Sequence, residues 1–198
     1  MKILALSDLH GDKIRAKEMA ETAAEHKVDL VLLAGDLVDH EGSVEGIVGP
    51  FKAKGLDVGV IPGNHEGMAE IGFLVDRYGA KNLHGYVFKK GDVGIFGCGY
   101  GNIGTHQLEE SAVFNTLKKG HEALKDVKKK IMLTHMHPED SILSLGLFPG
   151  SEGIRKAIEE FKPDIHICGH MHESEGLEDT IGKTRVINVG KKGKIIEL

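Results

Sequence analysis

Five short polar motifs each follow directly on an apolar run. They are Ser7-Asp8-Leu9-His10-Gly11, Gly35-Asp36-Leu37-Val38-Asp39, Gly63-Asn64-His65-Glu66, His135-Met136-His137-Pro138 and Gly169-His170-Met171-His172. Asp oxygen, Asn carbonyl and His nitrogen form a donor set suited to borderline first-row divalent ions such as Mn, Fe, Zn, Co or Ni. Dedicated Ca or Mg cages use oxygen almost alone. Alternate residues such as Asp8 and His10, or His170 and His172, converge on one site if the backbone turns between them. Gly11, Gly35, Gly63 and Gly169 permit such turns. Taken singly, an Asp-x-His or Gly-Asp reads as a turn or a helix cap. Gly-His-x-His says more, because two histidines at a strand exit rarely serve packing. All five together point to metal chemistry.

Segments this far apart in sequence need a scaffold that gathers them. Lys2–Leu6 reads as a buried strand, and Asp12–His26 as a helix capped by Asp12. Val28–Ala34 is a second strand, nearly continuous in Val and Leu, as a strand covered on both faces should be. A helix over Glu45–Lys54 and a strand over Leu56–Ile61 follow. This alternation predicts an α/β layered fold with a largely parallel sheet. Later come a hairpin over Tyr86–Lys89 and Asp92–Phe96, a helix over Gln107–Val127 and a strand over Lys130–Thr134. After these come a helix over Glu152–Phe161 and a strand over Asp164–Cys168. A closing hairpin is expected from Thr184–Val189 and Lys194–Glu197. The five motifs then fall at the carboxyl edge of a sheet, where open α/β sheets bind ligands. Hairpins mixed with βαβ units suggest two sheets rather than one doubly wound sheet.

The ordered set Asp-x-His, Gly-Asp-x-x-Asp, Gly-Asn-His-Glu, a later His after a strand, and Gly-His-x-His resembles the calcineurin-like metallophosphoesterase superfamily. The resemblance runs from Asp8 to His172. It implies a four-layer αββα sandwich, two mixed β-sheets flanked by helices, as a single domain over residues 1–198. It also implies two divalent ions, with Mn the first choice. Asp8, His10 and His172 would hold one ion, Asn64, His135 and His170 the other, and Asp36 would bridge them. A hydroxide trapped between the ions would attack phosphorus. The resemblance puts His65 beside the leaving oxygen as proton donor or charge stabiliser. Asp39 is read as orienting a ligand or capping its turn. His137 is the other histidine of its motif; it would meet substrate or lie in the loop, the loop being preferred.

The implied activity is hydrolysis of phosphate esters, leaning to phosphodiesters because neither gap between motifs has room for a large cap domain. A phosphomonoesterase is the alternative. A non-catalytic scaffold on the same fold should have lost ligands or His65, and all are present. Gly99-Tyr100-Gly101-Asn102-Ile103-Gly104 mimics a dinucleotide-binding loop, but the following strand ends in Thr134-His135, without the ribose-binding acid. It is read as a Gly-rich connection. A net charge of −5 gives no general drive toward nucleic acid or acidic membranes; nucleic acid enters only as a substrate. The basic runs Lys128–Lys130 and Lys191-Lys192-Gly193-Lys194 read as a solvated helix end and a turn. Cys98 and Cys168 read as reduced core thiols. No run reaches the roughly 18 apolar residues of a membrane span, and no signal peptide is evident, so a cytoplasmic location is expected. The apolar loop Ile142–Phe148 would line the leaving-group side, form a homodimer contact or pack in the core.

Overall fold

The computed structural model describes residues 1–38 and 41–198. Asp39, with the role expected of it, and His40 lie outside the described residues. The chain runs β1 (Lys2–Leu6), α1 (Lys13–Glu25), β2 (Leu30–Leu33), α2 (Gly49–Ala53), β3 (Asp57–Val60), α3 (Met68–Tyr78) and β4 (Lys81–Asn82). It continues with β5 (Val87–Lys90), β6 (Val93–Cys98), α4 (Glu110–Glu122), β7 (Lys129–Thr134), α5 (Glu152–Phe161) and β8 (Ile165–Cys168). It closes with β9 (Glu178–Ile181), β10 (Thr184–Asn188) and β11 (Lys194–Glu197).

One sheet has the order β11-β1-β2-β3-β4 and the other β5-β6-β7-β8-β10-β9. Both are mixed. β1, β2 and β3 are parallel with Ile3 opposite Leu30 and Leu30 opposite Asp57, while β11 is antiparallel to β1. β6, β7, β8 and β10 are parallel, and β5 and β9 run antiparallel at the edges.

Alternation of side chains along each strand builds the layers. Ile3, Ala5, Leu30 and Leu32 face Ile95, Ile131, Leu133, Ile167 and Ile187 across the two sheets. On the opposite face, Leu4, Leu6, Val31 and Leu33 pack on Ala16, Ala20, Phe51, Ile71 and Leu74 of α1, α2 and α3. Phe96, Met132 and Val186 pack on Val113, Leu117, Ile154 and Ile158 of α4 and α5. This is the expected αββα sandwich. Both cysteines are free and buried, as expected of core thiols. No helix among the described residues is long and apolar enough to cross a membrane.

Local chemistry sets the element ends. Asp12 Oδ1 accepts from Arg15 N at 2.9 Å and caps α1. Ser151 Oγ accepts from Ile154 N and caps α5. The helix expected over Glu45–Lys54 shrinks to α2, because Pro50 sits in its first turn. In the interior of a longer helix its ring would clash with the carbonyl one turn back. Helix α3 and the short β4 were not anticipated; Glu70 accepts from Gly67 N at 2.9 Å at one end of α3, and Gly79 closes it at φ 65°.

The closing hairpin does not form. β10 pairs with β8 and β9, whereas β11 pairs with β1 of the other sheet. The loop between them crosses from one sheet to the other, tied by Ser7 N to Gly190 O at 2.9 Å. Arg15 also donates to the carbonyls of Lys191 and Lys192. This route covers β1, which would otherwise be an exposed edge. The true hairpin is β9–β10, and β9 was missed. In the loop 142–148, Leu143 is buried, but Ile142, Leu145, Leu147 and Phe148 are exposed, so core packing accounts for only one of its apolar side chains.

Candidate metal centre

The five motif-bearing strands do not share one sheet. β1, β2 and β3 belong to the first sheet and β7 and β8 to the second. The exits meet across the seam: His135 Nδ1 lies 2.8 Å from Ala34 O, and His170 N donates to Asp8 Oδ2 at 3.0 Å. Within the first sheet, Asp8 N bonds Gly35 O and His10 N bonds Asp36 O, both at 3.0 Å. Four of the expected ligands hold left-handed backbone, with φ of 57° at Asp8, 45° at His10, 54° at Asp36 and 67° at His170. Such strain in non-glycine residues costs about 1–3 kcal/mol each and gathers at functional sites. The glycines permit the crowding. A Cβ on Gly63 would collide with the Asp36 carboxylate and backbone nitrogen, and one on Gly169 with the Ser7 and Asp8 side chains.

Two donor groups result. In the first, His172 Nε2 lies 3.4 Å from Asp8 Oδ1 and 3.4 Å from His10 Nε2. In the second, Asn64 Oδ1 is 3.0 Å from both His135 Nε2 and His170 Nδ1, and those nitrogens are 3.3 Å apart. Asp36 Oδ2 stands 3.3 Å from His135 Nε2 and 3.9 Å from His10 Nε2, between the groups. Asp8, His10 and His172, and likewise Asp36, His135 and His170, offer atoms close enough to share an ion. His10, Asp36 and His65 form a further such trio.

The chemistry of these donors fits a cation. The carbonyl of Ala34 can only accept, so His135 Nδ1 carries the hydrogen. In the neutral ring Nε2 then offers a lone pair, and it faces the acceptor oxygens of Asn64 and Asp36. Asp8 Oδ1 is buried and has no well-formed hydrogen bond among the described residues, His172 Nε2 approaching it at 3.4 Å. Converging lone pairs of this kind are stable only around a proton or a metal ion.

Without an ion, the charges perturb one another. Burial works against the Asp36 carboxylate, yet His135, His65 and His10 hold its pKa well below the usual range. Burial likewise opposes the His135 imidazolium, but the Asp36 carboxylate prevails and pushes its pKa up to about 9. Burial and the neighbouring His135 bring His170 down to about 4. The bond to Asp8 raises the pKa of His172.

His65 stands apart. Its backbone N–H donates to Asp36 Oδ1 at 3.1 Å, while its side chain is 54% exposed with Nε2 3.8 Å from Asp36 Oδ2. His137 lies in the loop after β7, as preferred, but it is fully buried there. Neither of its ring nitrogens forms a proper hydrogen bond within the described residues; the ring only weakly approaches the Phe148 backbone. The converging nitrogen atom belongs to His135. The Gly99–Gly104 segment is a connection from β6 toward α4, and it backs the site: His106 N bonds Asn64 O at 3.2 Å.

Glu66 was quoted in its motif without a role. It is buried, and its Oε1 accepts from Gly63 N at 2.8 Å while Oε2 accepts from Leu37 N at 3.1 Å. It thus ties the turn carrying Asn64 to the turn carrying Asp36. Burial pushes its pKa up to about 7. The sequence signal was the Glu of Gly-Asn-His-Glu, but its partners lie too far apart in sequence to be read.

Two clefts open on the site. The larger, about 720 Å³, is lined by His10, Asp36, Asn64, His65, His170 and His172, with Val38 and Gly42. The smaller, about 220 Å³, shares only His10 and His172 with it among the described residues.

The family model for the calcineurin-like phosphoesterases matches residues 1–174. An uncharacterized protein of Methanocaldococcus jannaschii is 28% identical over 212 residues, covering 99% of this chain and 91% of its own. Among solved structures, a Thermus thermophilus protein superposes with a TM-score of 0.78 at 19% identity, covering 96% of this chain and 88% of its own. A dimetal phosphatase from Danio rerio gives 0.63 at 12% identity, with 95% and 86% covered. An archaeal phosphodiesterase gives 0.56 at 18% identity, with 96% and 84% covered. At these identities the structural likeness shows the shared fold.

Proposed function

We propose a reaction for this chain, which belongs to the calcineurin-like phosphoesterase family: hydrolysis of phosphodiesters at a centre of two divalent ions. Asp8, His10 and His172 would hold one ion, and Asn64, His135 and His170 the other. Asp36 would be shared. The mixed nitrogen and oxygen donors suit Mn first, then Fe, Zn, Co or Ni. When bound, two such ions supply a nucleophilic oxygen at neutral pH and Lewis-acid charge for the phosphoryl oxygens.

The chain's own residues do the rest. His135 is fixed by its Nδ1–H on Ala34 O, which leaves Nε2 free to coordinate. Asp8 is steadied by the His170 backbone N–H. His65, exposed in the larger cleft beside Asp36, donates a proton to the departing oxygen. The observation that carries the metal reading is the convergence of Asn64 Oδ1, His135 Nε2 and His170 Nδ1 within 3.0 to 3.3 Å of one another.

The diester preference rests on the two clefts that meet at His10 and His172. Phosphorus placed there has room for a substituent on each side, and a monoester would leave one side empty. We read the protein as cytoplasmic, consistent with its two free buried thiols. Side-by-side kcat/KM values for 4-nitrophenyl phosphate and an aryl phosphodiester test the preference. The diester should be cleaved at least as well. A strong monoester preference would make this a phosphatase.

A further inference from the structure

The basic run Lys191-Lys192-Gly193-Lys194 reads in sequence as a solvated turn, yet the structure builds it into the wall of the smaller cleft. That cleft is lined by Asp8, His10, His172, Glu175, Gly190 and Lys191. The loop is held from several sides. Arg15 Nε and Nη2 donate to Lys191 O at 3.0 Å and Lys192 O at 2.8 Å. Ser7 N donates to Gly190 O, and Glu175 accepts from Lys192 N. A Cβ on Gly190, whose φ is 49°, would collide with Glu175. The backbone of the loop is therefore preorganised beside Asp8 and His172.

His65 lines the larger cleft and not the smaller one. If His65 protonates the departing oxygen, the leaving group occupies the larger cleft, and the group that stays on phosphorus points into the smaller. A cleft of about 220 Å³ admits a short substituent rather than a nucleoside. Of its described lining residues Lys191 carries the one permanent positive charge; Asp8 and Glu175 are acidic, and Asp8 would be taken up by an ion. Glu175 is neutralised by the loop itself, with Lys192 Nζ 3.5 Å from Oε2. Lys191 Nζ is held by Asp12 Oδ2 at 2.6 Å in a solvent-exposed pair. Such surface pairs are weak, so the ammonium is available to a ligand.

We propose that the smaller cleft receives the retained ester group of a phosphodiester, and that Lys191 selects substrates carrying an anionic substituent on that group. This rests on the diesterase reading above and names its substrate class.

The test compares 4-nitrophenyl ethyl phosphate with 4-nitrophenyl 2-carboxyethyl phosphate, using the metal-loaded full chain. The wild type should favour the carboxylate ester by about tenfold in kcat/KM, mostly through KM, as one charge-assisted hydrogen bond at a half-open site gives. Lys191→Ala should bring that ratio to about one, and Lys191→Arg should keep it. Lys183→Ala, which removes equal charge outside both clefts, should also keep it. A wild-type ratio near one, or a Lys191→Ala ratio unchanged from wild type, would overturn the proposal while leaving the diesterase reading intact. Cleavage of 4-nitrophenyl phosphate but of neither diester would refute that reading, and this inference with it.

Discussion

Replacing Glu66 by Ala removes a buried carboxylate that joins two turns carrying proposed ligands. Its oxygens take hydrogen bonds from Gly63 N at 2.8 Å and Leu37 N at 3.1 Å, and Glu66, Gly63 and Leu37 are all buried. An unsatisfied buried N–H costs about 1–3 kcal/mol, so the two together cost about 2–6 kcal/mol. Asn64 follows Gly63 and Asp36 precedes Leu37, so both donors loosen. Metal affinity should fall about 10–100-fold, as when a residue supporting a ligand is lost. Glu66→Gln keeps one acceptor oxygen and turns an amide NH2 toward the other N–H, so its cost should be near half. The pH dependence gives a separate check. Burial raises the pKa of the folded carboxyl to about 7 from its ordinary value of 4.5. Between these values the unfolded chain binds fewer protons, so this group's contribution to stability is present below 4.5 and is lost as pH rises through 7. The loss is about 3 kcal/mol at most. Guanidinium unfolding of the metal-free protein at several pH values reads both effects, and titration calorimetry with Mn reads affinity. An Ala variant within about 0.5 kcal/mol of wild type, with unchanged Mn affinity, would refute the role given to Glu66.

His65→Ala should keep its metal but lose about 10²-fold in kcat, whereas Asp36→Asn should lose metal; elemental analysis beside kinetics separates the two, and the reverse pattern would exchange their roles. His135→Ala should deplete metal, while His137→Ala should retain it and lose thermal stability, since His137 is fully buried and contributes no atom to the converging donors. In the metal-free protein the His135 pKa is pushed to about 9, so at pH 7 that imidazole is protonated and an entering ion must expel the proton. Mn affinity should therefore rise with pH until about 9; calorimetry in buffers of different ionisation heat should detect the released proton, and none at pH 7 would contradict the assignment.

The donor atoms were legible because each follows a continuous apolar strand, so a change from Val or Leu to Asp, Asn or His marks an exit. The caps at Asp12 and Ser151 were equally local. What failed was pairing at long range. The runs that form β1 to β3 look like those that form β7 and β8, and sequence does not say that they belong to two sheets. Thr184–Val189 and Lys194–Glu197 resembled a hairpin because the change of sheets is set by distant partners, Arg15 on Lys191 and Lys192, Ser7 on Gly190, and β1 beside β11. Helix α3 was missed because it buries only Ile71 and Leu74, too few for a clear period. Glu66 was visible as a residue and invisible as a bracket, since its partners sit on two different turns.

The central claim is that two ions act together at the seam between the sheets. Titrating Mn into the fully chelated protein, while following hydrolysis of bis(4-nitrophenyl) phosphate, tests it most directly. The account predicts negligible turnover without metal and a rate that reaches its plateau at two equivalents per chain. A plateau at one equivalent, or full turnover after exhaustive chelation, would contradict it.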